Sequence, residues 1–184
     1  MTTITYYVAV TADGFIAAED GSFDCFVHDD ALIADMMRSL REDYTAVVMG
    51  RATYEVGLAV GKTNPYPWLD TYVVTTTMTT RPDPAVTLLR DVEGVAALAR
   101  DHAGPIWLCG GGALAAALQA RGLIDRIVLK RNPVAIGGGI PLFRGLDAPL
   151  RLEVSGEAKR YDSGIVVTAY RPARPERSPS SVPI

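Results

Sequence analysis

The chain predicts an α/β fold: one mixed, largely parallel sheet with helices covering it. Three features carry that expectation. Short β-branched and aromatic runs alternate with amphipathic stretches through the first two thirds of the sequence. Some of those runs are continuously apolar, as strands covered on both faces are. The last third is strand-rich and closes on the turn chemistry of Asp162-Ser163-Gly164, which predicts an antiparallel hairpin at one edge.

Ile4 to Val10 reads as the first strand and ends at the turn-forming Ala12-Asp13-Gly14. A loop leads to Asp29-Asp30, which cap and charge a helix from Ala31 to Glu42, where Leu32, Ile33, Met36, Met37 and Leu40 recur at helical spacing. Thr45 to Met49 is the second strand, stopped by Gly50, and Arg51 to Val56 a short helix. Residues 57 to 70 form a loop long enough to suggest a function, with Tyr66 and Trp68 in it. Strands at Thr71 to Thr76 and Val86 to Leu89 precede a helix from Val92 to His102. Pro105 to Cys109 is a buried strand, and Ala113 to Arg121 an Ala/Leu-rich helix. Ile124 to Lys130, Leu150 to Ala158 and Ile165 to Tyr170 complete eight strands. The tail from Pro172, rich in Pro and Ser, has too little apolar surface to order itself and is expected to be disordered.

With 184 residues, 48% of them hydrophobic, one substantial core and one domain (1–171) are expected. A net charge of −3 without a basic run argues against nucleic acid and anionic membranes as partners. Cys25 and Cys109 have no metal-ligand or disulfide-framework spacing and suit a reducing cytoplasm. The N-terminus lacks the features of a signal peptide, and no stretch approaches 18 uncharged apolar residues. His28 and His102 have no nucleophile or zinc motif around them, so no metal site and no hydrolase is expected.

The sharpest chemical signal is Gly110-Gly111-Gly112, between a strand and a helix that continues through Ala113 and Leu114. Without Cβ atoms the backbone can approach a ligand, and the unpaired amides of the helix start face whatever anion sits there. The same glycines would equally serve a tight strand-to-helix turn. Gly50 and Arg51 repeat the arrangement: the amides of Arg51, Ala52 and Thr53 suit a pyrophosphate and the guanidinium a phosphate, or Arg51 is a solvated helix-start residue. Thr75, Thr76 and Thr77 offer hydroxyls at a strand end, or are simply good strand residues.

Taken in order, TADGFIA (11–17), GRATYE (50–55), VVTTT (73–77), WLCGGGAL (107–114) and GLIDRIVLKRNPVAIGGGIPLF (122–143) resemble the dihydrofolate-reductase fold. They resemble more closely the reductase domain of bacterial riboflavin biosynthesis, over about residues 3 to 171. The resemblance implies a three-layer, eight-stranded, dihydrofolate-reductase-like domain that uses NADPH and is often a homodimer. It also implies a cofactor site at Gly50, Arg51, Thr53, Thr75 to Thr77 and Gly110 to Leu114. Arg51 would lie near the adenosine 2′-phosphate, with Arg81, or Arg90 in its place, as a second cation. Ala9 and Ile16 match positions that contact the nicotinamide ring.

Dihydrofolate reductase also carries an acid on the helix after the first loop. Asp24, Asp29, Asp30 and Asp35 fall in that region, with Asp30 taken as the candidate; Asp30 and Asp35 lie about 140° apart around a helix, so at most one faces a site. Gly137 to Gly139 are expected to form a loop flanking the substrate cleft or a dimer contact, and Trp107 to be core or interface. The expected activity is hydride transfer from NADPH to a small heterocyclic or ring-opened carbonyl or imine substrate. The alternatives are a non-catalytic dinucleotide-binding module or a flavin or pterin carrier.

Overall fold

The computed structural model describes residues 2–173. In chain order the strands are β1 (Ile4–Val10), β2 (Phe15–Ala17), β3 (Ala46–Gly50), β4 (Asp70–Val74), β5 (Val86–Leu89), β6 (Ile106–Gly110), β7 (Arg126–Arg131), β8 (Ile140–Pro141), β9 (Leu152–Val154), β10 (Lys159–Arg160) and β11 (Val166–Pro172). The helices are α1 (Asp30–Glu42), α2 (Arg51–Ala59), α3 (Val92–Asp101) and α4 (Gly112–Gln119). The main sheet runs β10-β11-β7-β1-β6-β3-β4-β5, parallel from β7 to β5 and antiparallel at β11. The expected α/β architecture is the observed one.

Alternation along the strands builds two cores. Tyr6, Val8 and Val10 of β1 pack with Val48, Leu108 and Ile127 beneath Val95 of α3 and Ala115 and Leu118 of α4. On the other face Tyr7, Val47, Met49 and Trp107 pack with Leu40 of α1 and Tyr54 of α2. Both faces are thus covered, which explains the continuous apolar runs. Trp107 is core: it is buried, and its indole N–H donates to the Tyr7 carbonyl at 3.0 Å.

Three expectations need correction. The strand anticipated over Leu150 to Ala158 is cut short, because Gly156 adopts a left-handed backbone (φ 87°) and carries the chain out of line. Only β9 lies within it; β10, at Lys159–Arg160, falls beyond it, in the stretch expected to connect the hairpin, and both pair with β11, so the edge remains one strand position and the sheet remains eight positions wide. The helix after Gly50 continues past Val56 to Ala59. Pro172, expected to start the tail, is instead in the sheet, where it pairs with Leu152, and the Ala173 amide donates to the Arg151 carbonyl. Residues 174–184 lie outside those described.

A second, two-stranded sheet, β2 with β8, was not anticipated. It stands at the end of the main sheet where the site lies. Asp13 fastens it: the carboxylate accepts from the Thr11 hydroxyl (2.6 Å) and from the amides of Ile136 (3.0 Å) and Gly137 (2.8 Å). These hydrogen bonds hold the Asp13 carboxyl below its ordinary range.

Candidate active site

The carboxyl ends of β1, β3 and β6 open into a cavity of about 690 Å³, the usual position for ligands in open α/β sheets. Two helices begin at its wall. The N-caps of α2 and α4 are Gly50 and Gly111, and neither makes a side-chain cap. By contrast α1 and α3, which start elsewhere, are capped by Asp29 and Asp91. The first amides of α2 and α4 therefore lack side-chain partners at the one place where both helices meet the same space.

The glycines permit the approach. The Gly110–Gly111 peptide is cis. A Cβ on Gly112 would overlap the Pro141 carbonyl oxygen, so only glycine lets β8 close over the start of α4. Thr53 Oγ1 stands under Gly110 and Gly111. The Arg144 amide donates to the Gly112 carbonyl at 3.0 Å and the Tyr6 hydroxyl to the Leu142 carbonyl at 3.0 Å, which pins the segment after β8 against the site.

Of the residues singled out from sequence, Ile16, Gly50, Arg51, Thr53, Gly110, Gly111, Gly112, Ala113 and Leu114 line the cavity together. Arg51 also borders an adjoining recess of about 290 Å³ shared with Thr75, Thr76, Thr77 and Arg90. Its guanidinium is half exposed and pairs with Glu55, one turn on, at 2.9 Å. Thr75 is buried, and its hydroxyl accepts from the amides of Thr77 (3.3 Å) and Met78 (3.1 Å); Thr76 and Thr77 present their side chains outward. The second cation at the recess is Arg90, which donates to the Met78 carbonyl at 2.7 Å; Arg81 is not part of the wall. Ala9 stands one residue beyond the cavity-lining Val8, on the α1 side of the sheet, in register with Lys130.

The candidate acid is corrected. Asp30 begins α1 with its side chain 96% exposed, paired with His28 at 2.8 Å. Asp24 is exposed, Asp29 caps α1 at the Leu32 amide, and Asp35 is held by Lys159, Tyr161 and Arg38. None of the four lines the cavity, because α1 presents its apolar stripe to the sheet and its carboxylates elsewhere. Among the described residues, the charged ones that line the cavity are Arg51, Lys62 and Arg144, and none is acidic.

Sequence reasoning missed Phe23, Lys62, Tyr66, Cys109 and Arg144 as wall residues. The length of the 57–70 loop was the available signal for Lys62 and Tyr66. Trp68 from that loop lies elsewhere, under the Arg41 guanidinium at 4.1 Å. Ile140 brings the second glycine cluster's strand to the cavity, as a flanking segment. Burial pushes the Cys109 thiol up to about 11 and raises the Tyr66 phenol above its usual range. Cys109 is therefore a thiol at neutral pH, without nucleophilic character. No group of three His, Cys, Asp or Glu residues among those described is arranged to hold a metal.

A family model described as the RibD C-terminal domain matches residues 2–167. The chain belongs to the RibD C-terminal domain family. Among its relatives is the uncharacterized protein YwjB of Bacillus subtilis (strain 168), 31% identical over 154 residues that cover 82% of this chain and 87% of YwjB. A Shewanella sp. PV-4 protein assigned to riboflavin biosynthesis has a crystal structure that aligns with 95% of this chain and 100% of its own, at 27% identity and a TM-score of 0.75. Enterococcus faecalis dihydrofolate reductase, solved with NADP(H), aligns with 94% of this chain and 97% of its own at 19% identity, with a TM-score of 0.72. This RibD C-terminal domain thus has the dihydrofolate-reductase-like fold.

Proposed function

We propose that this protein is an NADPH-dependent reductase that transfers hydride to a small heterocyclic or ring-opened carbonyl or imine substrate. The observation that carries the reading is the convergence of two uncapped glycine-started helices and Arg51 on one cavity. Helix starts of that kind suit a diphosphate. The recess bordered by Arg51, Arg90, Thr76 and Thr77 suits a further phosphate, the feature that separates NADPH from NADH. Membership of the family and the NADP(H) complex of the E. faecalis neighbour point the same way.

The residues fit the cofactor, which when bound supplies the hydride. This chain's residues bind and orient. The amides of Arg51 to Thr53 and of Gly112 to Leu114 would hold the diphosphate, and Ile16 walls off water from the reacting face. We further propose a cytoplasmic homodimer, with the edge formed by β9 and β10 available for pairing.

The test is NADPH binding by fluorescence together with NADPH oxidation in the presence of pyrimidine and pterin candidates. Replacement Arg51→Gln is expected to weaken NADPH at least tenfold and NADH little, since the guanidinium then meets only the extra phosphate. Equal losses would overturn the phosphate assignment. Tight binding with no turnover on either class would favour a binding module instead.

A further inference from the structure

The loop between α2 and β4 brings a phenol to the cavity wall. Tyr66 lines the cavity, and its ring is fixed edge-on against Trp107 of β6, with centroids 4.7 Å apart, and against Trp68 of its own loop at 5.8 Å. Cys109 lies two residues beyond Trp107, on the same face of β6, because side chains alternate along a strand. The Tyr66 hydroxyl adjoins that thiol, so the phenol points along β6 toward Gly110 and the turn into α4. Three other tyrosines spend their hydroxyls within the fold: Tyr6 donates to the Leu142 carbonyl (3.0 Å), Tyr54 to the Thr63 carbonyl (2.5 Å) and Tyr161 to the Asp35 carboxylate (2.8 Å). Tyr66 has the cavity before it and a thiol, a weak partner, beside it.

The other polar side chains of the wall suit different work. Arg51 and Thr53 stand at the start of α2, beside the amides that suit a diphosphate. An arginine does not release its proton in a protein, which sets Arg144 aside as well. Lys62 is exposed, so water competes for its ammonium. Tyr66 is half-buried, and burial, with Cys109 adding to it, raises the phenol above its ordinary range. It is therefore protonated at neutral pH, a donor and not a base. Behind it lies a second proton, on the Cys109 thiol, and behind that a cation. The Lys130 ammonium adjoins Cys109, 2.8 Å from the Met36 thioether and 4.9 Å from the centroid of the Tyr7 ring, with no salt bridge among the described residues.

We propose that Tyr66 is the proton donor of the reduction: its hydroxyl binds the oxygen or nitrogen of the substrate's C=O or C=N bond and protonates it. This rests on the reductase reading. As the delivered hydride forms the new C–H bond at carbon, the π pair of the double bond passes to the oxygen or nitrogen, and the proton from Tyr66 Oη completes the O–H or N–H bond. The electron pair of the broken bond stays on Tyr66 as a phenolate. An alkoxide or amide anion is a far stronger base than a phenolate, so the transfer runs downhill. The Cys109 thiol returns a proton to the phenolate, the Lys130 ammonium answers the charge this leaves on sulfur, and solvent restores the thiol.

The experiment compares the natural protein with Tyr66→Phe, which keeps the ring between the two tryptophans and removes only the hydroxyl. NADPH oxidation is measured with two flat probes, the cyclic imine 6-methyldihydropterin and the carbonyl compound pyrimidine-5-carbaldehyde. Turnover in the variant is expected to fall about a hundredfold or more, with NADPH affinity and the unfolding midpoint unchanged. A second measurement needs no turnover: protein labelled with 13C at tyrosine Cζ is titrated with each probe in the presence of NADP+, and the Tyr66→Phe spectrum assigns the resonance. A saturable shift of the Tyr66 signal is expected as the hydroxyl takes a new acceptor. An unmoved signal at saturating probe, or turnover in the variant within about threefold of the natural protein, would overturn the proposal. So would loss of NADPH binding in Tyr66→Phe, the mark of a structural role. Natural protein that binds NADPH but reduces neither probe refutes the reductase reading itself, whereas turnover that survives in the variant refutes only the role of Tyr66.

Discussion

Single side chains at this site are set by what they are denied. Lys130 is denied an anion, and its folded pKa near 8 lies below the usual value of 10.5. Between those limits the unfolded chain binds more protons, so the lysine's contribution to stability rises as pH climbs from 8 toward 10.5. Below pH 8 the full cost of the buried ammonium is present. Cys109 acts in the opposite sense between its usual 9 and its folded value of about 11, where the unfolded chain loses its proton first. Lys130→Met is therefore expected to be more stable than the natural protein at pH 7, by about 1–2 kcal/mol once residual solvent access is discounted. Urea unfolding at pH 7 and pH 9.5 checks this, with the gap narrowing at the higher pH. A variant less stable at both values would show that the lysine is structurally required.

At the scale of elements, the small sheet of β2 and β8 depends on Asp13, whose carboxylate bridges the turn after β1 to the loop before β8. Asp13→Ala is expected to speed amide hydrogen exchange in Phe15–Ala17 and at Ile140 at least tenfold, while Tyr6 and Val8 in the central strand keep their protection. Loss of protection throughout β1 would mean that the bridge holds the whole molecule. Because the Asp13 carboxyl is held below its ordinary pKa, the same loosening should appear in the natural protein only as pH falls through that depressed value. These elements also show where sequence reasoning stopped. β1, β3 and β6 were legible because each is an apolar run long enough to bury both faces. β2 and β8 were not: they are three and two residues long and pair across more than a hundred residues of chain, so no local pattern marks them. Lys130 escaped notice for a related reason, since on paper it is only the polar end of a strand and the apolar company it keeps comes from three other elements.

Across the whole molecule, β-strand order brings together segments that are separate in sequence. Gly50 and Gly110 end β3 and β6, which are neighbours in the sheet although sixty residues apart in the chain, and α2 and α4 start from those ends toward opposite faces. The glycine runs and Arg51 were readable from sequence because strand–glycine–helix junctions carry a backbone signature. The place of the α1 carboxylates was not, because which side of that helix packs on the sheet depends on tertiary contacts, and Asp30 falls outside the cavity wall. In the proposed reductase both helix starts grip one diphosphate. The most direct test of that grip is an amide NMR titration of the protein with NADPH. Large, saturable shifts are expected at Arg51 to Thr53 and at Gly111 to Leu114 together, with one shared dissociation constant. Saturable NADPH binding that leaves either set of amides unmoved would contradict it.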